Sequence, residues 1–169
     1  MSGKYSNNRI VCVLGMHRSG TSALSKLITQ LGFQAGDNLI PADEDNEEGY
    51  FEDIDIYRLN QDILSFLYLS WDRVEEFNLR KIYFLFDLVW EKFGEKAINI
   101  VQSKLEKENL LLIKDPRISI LVPFWEEVFK HTGASVSYVL SVRNPLDVAK
   151  SLQKRNTVSY THPEPTRPY

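Results

Sequence analysis

The chain has 169 residues, the size of one domain with a real core rather than two. Apolar residues make up 43% and charged residues 25%, the balance of an ordinary globular domain. The net charge of −3 gives the whole-chain field no bias toward nucleic acid, and the single Cys12 cannot close an internal disulfide. It suits a reducing compartment. The polar start at residues 2–8 is unlike a signal peptide, and the apolar stretches are too short to span a bilayer. A cytoplasmic chain with neither nucleic acid nor membrane as partner is the expectation.

The apolar, β-branched run IVCVL at 10–14 ends at Gly15 and reads as a buried parallel strand. Beyond a turn, Ala23, Leu24, Leu27, Ile28 and Leu31 recur at helical spacing, with Gly32 at the C-terminal cap. Residues 33–35 suggest a short strand, while 36–53 are polar, contain Pro41 and read as an acid-rich loop. Mixed apolar faces predict helices over 54–69, 79–93 and 95–107. The run LLLI at 110–113 is a second buried strand, and it ends at Lys114-Asp115-Pro116-Arg117. A helix over 118–131, closed by Gly133, leads to a third strand at 136–142. Arg143-Asn144-Pro145 follows, then a helix from about 146 to 155 with Pro145 in its first turn.

Strands alternating with helices predict an α/β fold: a three-layer parallel sheet flanked by helices, in one domain over residues 1–156. Residues 157–169 break the pattern. The string VSYTH and the HPEPTR that overlaps it resemble a translated transposon-type sequencing adaptor, so a non-native tail is expected, with a Pro-rich disordered terminus as the other reading.

GMHRSGTSAL follows the first strand and opens the first helix. Helix N-termini offer unpaired N–H groups and the positive end of a dipole, so this turn is a place for an anion. Gly15 and Gly20 have the spacing of a nucleotide phosphate loop, but Thr21 stands where such a loop carries Lys, ahead of Ser22. An ATP- or GTP-using loop needs that Lys for its β- and γ-phosphates. Arg18 supplies a cation from within the loop instead. A plain strand–helix turn capped by Ser and Thr is the competing reading.

Arg18-Ser19-Gly20-Thr21-Ser22 resembles the 5′-phosphosulfate loop of the sulfotransferases, in which a Lys or Arg precedes a Ser/Thr-Gly-Thr run. SVRNPLDVAKSL, after the third strand, resembles the 3′-phosphate site of the same family. There an Arg at a strand end is joined by a Ser about two helical turns on, and Arg143 and Ser151 have that spacing. The two motifs together imply the donor PAPS (3′-phosphoadenosine 5′-phosphosulfate) with no metal, on a frame like that of the P-loop nucleoside triphosphate hydrolases. Arg18 would stabilise charge on the departing phosphate. Gly15, His17, Ser19, Gly20, Thr21 and Ser22 would line the 5′ site, with the role of His17 open.

Residues 46–52, NEEGYFE, resemble the segment that follows the first helix in bacterial and Golgi-type members and ends in an acid. An acceptor hydroxyl must lose a proton as the sulfuryl group arrives, so Glu52 is the expected base, with Glu48 behind it. A solvated acidic loop is the alternative for most of these acids. Lys114 and Arg117, at the carboxyl end of a strand, would hold the acceptor or the sulfuryl oxygens. A structural Asp115–Arg117 ion pair is equally open. Phe66, Tyr68, Trp71, Tyr83, Phe84, Phe86 and Trp90 are expected in the core.

The resemblance implies sulfuryl transfer to a hydroxyl-bearing acceptor, carbohydrate among the candidates, by a chain cut short at its C-terminus. A P-loop kinase-like enzyme and a non-catalytic nucleotide-binding domain are the rivals.

Overall fold

The structure is a computed structural model, and it describes residues 7–43, 46, 49–70 and 83–159, with the side chains of 155–159 left aside. The predicted positions Glu48, Trp71 and 160–169 lie outside the described residues. In chain order the elements are β1 (Arg9–Gly15), α1 (Thr21–Gln30), α2 (Ile54–Phe66), α3 (Phe86–Leu105), β2 (Leu110–Lys114), α4 (Ile118–Thr132), β3 (Ser135–Ser141) and α5 (Pro145–Ser159).

The strands form a parallel sheet of order β2-β1-β3, with Arg9 opposite both Leu110 and Ser135. Alternation along β1 sends Ile10 and Cys12 to one face and Val13 to the other, and both faces are covered at β1 and β2, while β3 stays largely exposed. Ile10, Cys12, Leu111 and Ile113 pack with Leu59, Ile63, Phe93, Val101 and Trp125 from α2, α3 and α4. On the opposite face Val13 and Leu112 pack with Ile28 of α1. The fold is therefore α/β, a three-stranded parallel sheet flanked by helices.

Three local readings need correction. Residues 33–35 form no strand; Gln34 alone bridges Leu111, accepting from the Leu112 N–H at 2.8 Å and donating to the Leu110 carbonyl at 2.9 Å. Residues 95–107 are not a separate helix, because α3 runs unbroken through Gly94. A β-carbon there would stand 2.9 Å from the Trp90 indole, so the glycine makes room for a ring rather than ending a helix. Tyr68, Tyr83 and Phe84 are exposed and not core, while Phe66, Phe86 and Trp90 pack against the core. They flank the end of α2 and the start of α3, beyond the reach of the sheet.

Other boundaries follow from caps. Asp53 caps α2, its carboxylate accepting from the Asp55 and Ile56 amides, and the helix ends at Phe66 rather than 69. Gly133 ends α4 in the left-handed conformation, as the sequence suggests. Within α4, Leu121 leaves helical geometry two residues before Pro123, whose ring cannot follow a regular turn. The last helix runs on to Ser159, past the expected end near 155. Among the described residues no helix is long and apolar enough to cross a membrane.

Candidate functional site

The loops leaving β1 and β2 lead to helices on opposite faces of the sheet, the arrangement that opens a crevice at strand carboxyl ends. Gly15, Lys114 and Ser141 end the three strands beside it. From Gly15 the chain turns through Met16–Ser19, closed by the Ser19 N–H to the Met16 carbonyl at 3.1 Å and by the Ser19 hydroxyl to the same oxygen at 2.6 Å. The Gly15 N–H donates to the Ser119 hydroxyl at 2.9 Å, and the Ser141 hydroxyl donates to the Ser19 carbonyl at 2.9 Å. Residues from β3 and α4 thus hold the loop from both sides.

Three backbone features shape it. Gly15 has φ +149°, and a β-carbon would approach the Ser141 carbonyl oxygen to 2.7 Å and the Ser19 hydroxyl to 2.9 Å. Arg18 has φ 65°, a conformation that costs a non-glycine residue on the order of 1 kcal/mol and clusters at ligand sites. Gly20 caps α1 with φ 93° and no side-chain hydrogen bond. The first backbone bond of the helix is the Leu24 N–H to the Gly20 carbonyl, which leaves the amides of Thr21, Ser22 and Ala23 directed out of the helix end.

The two predicted phosphate motifs meet. Arg18 donates from Nε to the Ser151 hydroxyl at 2.9 Å, and Arg143 donates from Nη1 to the Arg18 carbonyl at 3.2 Å. Arg143 is exposed, whereas Ser19 and Thr21 are buried by the loop's own packing. His17 sits half-buried in the turn before Ser19.

Beside this lies a buried cluster of charge. The Glu52 carbonyl accepts from the Ile40 N–H at 2.8 Å and the Ile54 N–H donates to the Asn38 carbonyl at 2.8 Å, a short antiparallel pairing that sets the backbone around Glu52. Phe51 before it has φ 56°. That turn sends the Glu52 carboxylate inward to Lys114 Nζ, 2.6 Å from Oε1, where both side chains are almost fully buried. Lys114 also donates to the Tyr50 carbonyl at 2.9 Å and to the Ser22 hydroxyl at 3.4 Å. It thereby joins the acidic loop to α1. Asn46 Nδ2 reaches the same Ser22 hydroxyl at 3.2 Å.

Arg117 lies on the other side of the carboxylate, with Nη1 3.7 Å from Glu52 Oε2 and 2.9 Å from Asp115 Oδ1. The Asp115–Arg117 pair expected as an alternative is therefore present, and the same guanidinium also faces Glu52. Burial raises the Glu52 carboxyl above its ordinary value; the charges of Lys114 and Arg117 oppose that rise and Asp115 adds to it. A carboxylate held high in this way has a stronger pull on a proton than a surface glutamate.

The sequence alone pointed to Arg18, Glu52, Lys114, Arg117, Arg143 and Ser151, and the structure gathers them around the carboxyl ends of the strands. It adds Ser119, Asn60 and Tyr57, none of which lies in either motif, and Ser141, which opens the second motif without a role assigned to it. A signal for Asn60 existed: an amide among Ile56, Leu59 and Ile63 on the apolar stripe of α2, fully buried. Comparison with protein-family models, with curated proteins and with solved structures gives no match for the chain.

Proposed function

We propose that the chain binds a nucleotide carrying both a 5′-phosphosulfate and a 3′-phosphate, PAPS, and transfers its sulfuryl group to an acceptor hydroxyl, on a frame of the P-loop nucleoside triphosphate hydrolase kind. The observation that carries this reading is the 2.9 Å contact of Arg18 with Ser151. Two motifs far apart in sequence, each suited to one phosphate, share one site. The fit is supported by the glycine cradle, which has no room for a β-carbon at Gly15, and by a donor set of helix amides, two arginines and a serine.

In the reaction, the bond between sulfur and the bridging oxygen of the 5′-phosphate breaks as one forms between sulfur and the acceptor oxygen. The electron pair leaves on the phosphate, where Arg18 and the Thr21 and Ser22 amides stabilise it. The acceptor proton passes to Glu52, whose raised proton affinity suits that task. Arg143 and Ser151 anchor the 3′-phosphate, and Lys114 stands between Ser22 and Glu52, next to both halves of the chemistry.

Calorimetric titration with adenosine 3′,5′-bisphosphate, against ADP with magnesium and 5′-AMP, tests the reading. A preference for the bisphosphate of about tenfold or more is the expected result, since a charged hydrogen-bonding pair at the 3′ site contributes about 1.5–3 kcal/mol. Preference for ADP with magnesium overturns it in favour of a kinase-like site. Bisphosphate binding without turnover of PAPS would leave the non-catalytic nucleotide-binding reading standing.

A further inference from the structure

The polar network behind Glu52 extends deeper into the core than acceptor binding requires. Trp125 donates from Nε1 to Asn60 Oδ1 at 2.8 Å, and Asn60 Nδ2 donates to Asp115 Oδ2 at 3.0 Å. Asp115 Oδ1 in turn accepts the Arg117 backbone N–H at 2.8 Å and Arg117 Nη1 at 2.9 Å. Trp125, Asn60 and Asp115 are wholly buried, and Arg117 nearly so. Each link fixes the next. An indole N–H can only donate, so Asn60 turns its oxygen to Trp125 and its amide to Asp115. Arg117 is further held by Gln61, which accepts from Nε at 2.9 Å, and by the Tyr57 ring 4.4 Å beneath the guanidinium. A core needs no such chain for stability, because buried charge is costly and apolar side chains fill the same space at least as well. This chain ends on a cation facing a carboxylate.

We propose that Asn60 and Asp115, backed by Trp125, are positioning residues that hold the Arg117 guanidinium beside Oε2 of Glu52 and so set the direction in which that carboxylate meets the acceptor hydroxyl. Lys114 secures Oε1 and Arg117 faces Oε2, so the plane of the carboxylate is fixed from two sides. The positioning of Glu52 for catalysis rests on the sulfotransferase reading; the mechanical link from Trp125 to Arg117 stands without it.

The test uses the full chain with carboxyl-labelled glutamate and nitrogen-labelled arginine, in the native sequence and in Trp125→Phe, which keeps an aromatic ring, smaller than the indole, and removes the donor. In the variant, hydrogen exchange at the Arg117 Nε–H should speed by about tenfold or more. The Glu52 titration midpoint should rise, because Lys114 and Asp115 still face the carboxyl while the Arg117 charge is less well placed. Turnover of PAPS with water as acceptor should fall by about tenfold, with the KM for PAPS and the affinity for adenosine 3′,5′-bisphosphate unchanged. Asp115→Asn is isosteric and serves where Trp125→Phe does not fold, read by the Arg117 exchange and the turnover alone, because loss of the Asp115 charge itself lowers the Glu52 midpoint. A folded variant with unchanged Arg117 exchange and an unchanged Glu52 midpoint overturns the proposal and makes the chain a tie within the core. A native chain that neither binds the bisphosphate nor cleaves PAPS defeats the sulfotransferase reading instead, and the exchange and titration still decide whether the link to Arg117 exists.

Discussion

The Arg18 guanidinium reaches the hydroxyl of Ser151 at 2.9 Å although 133 positions separate them in sequence. One lies in the first loop of the chain and the other in its last helix, so the contact closes the site across the whole fold. Arg143, at the start of that last segment, supports the same loop through the Arg18 carbonyl.

Ser151→Ala should weaken binding of adenosine 3′,5′-bisphosphate by about tenfold, the worth of a hydrogen bond to a charged group. Affinity for 5′-AMP, which lacks the 3′ group, should hardly change. Titration of both ligands decides this, and an equal loss for the two would place Ser151 in the 5′ subsite.

Arg18→Ala should lower PAPS turnover by a factor of about a hundred or more, as loss of a group acting on developing charge does. The product bisphosphate should lose much less affinity. Proportionate losses in the two quantities would mean that Arg18 serves binding alone.

Glu52→Gln should reduce turnover about a hundredfold or more while leaving nucleotide affinity intact. Its effect on stability has a definite sign. The folded carboxyl titrates above its unfolded value, so the stability it contributes is present below the unfolded value and lost as pH rises through the folded one. Denaturant melts of native and variant chains across that window should show the decline only in the native chain.

Lys104→Met removes the cation that Asp53 faces at 2.6 Å, both groups being buried. Desolvation draws the Lys104 ammonium down, but its bond to Asp53 and the carboxylates of Asp53, Asp55 and Asp37 hold it above the ordinary value. The variant leaves the cap of α2 carrying an unpaired buried charge, at a cost of about 3 kcal/mol in urea melts. Asp53 adjoins Glu52, so turnover should suffer as well.

The Cys12 thiol is wholly buried, and burial pushes it up to about 12 from an ordinary 9.0. A thiol reagent at neutral pH should therefore modify the native chain only as fast as the chain opens, and the denatured chain at once. The unfolded thiol ionises at lower pH than the folded one, so stability is lost as pH rises between those two values. Rapid labelling of the native chain would contradict the burial of β1.

The sequence made the three strands legible because each is a short apolar run closed by a distinctive turn, and the turn from β1 into α1 because its glycines mark both ends. Tertiary context decided what local pattern could not. Gly94 looks like a helix stop but accommodates the Trp90 ring, and Gln34 pairs with β2 without a strand around it. Tyr68 and Phe84 carry large apolar rings in exposed positions, since ring size alone says nothing of which side of a helix meets the sheet. Motif order singled out Arg18, Glu52, Arg143 and Ser151 for the candidate site. Asn60 stands out as an amide on the apolar stripe of α2, but its partners Asp115 and Trp125 lie 55 and 65 positions away and no local pattern names them.

The placement of β1 between β2 and β3 has a bearing on how the chain is made. Arg9–Gly15 leaves the ribosome well before its partners, which span Leu110–Lys114 and Ser135–Ser141. At about 5–20 residues per second, the central strand waits several seconds for its neighbours. Local helices can form during that interval, but the sheet cannot close on both sides until the last strand has been synthesised. Nascent chains halted before β3 should therefore occupy chaperones, and those halted beyond it should release them.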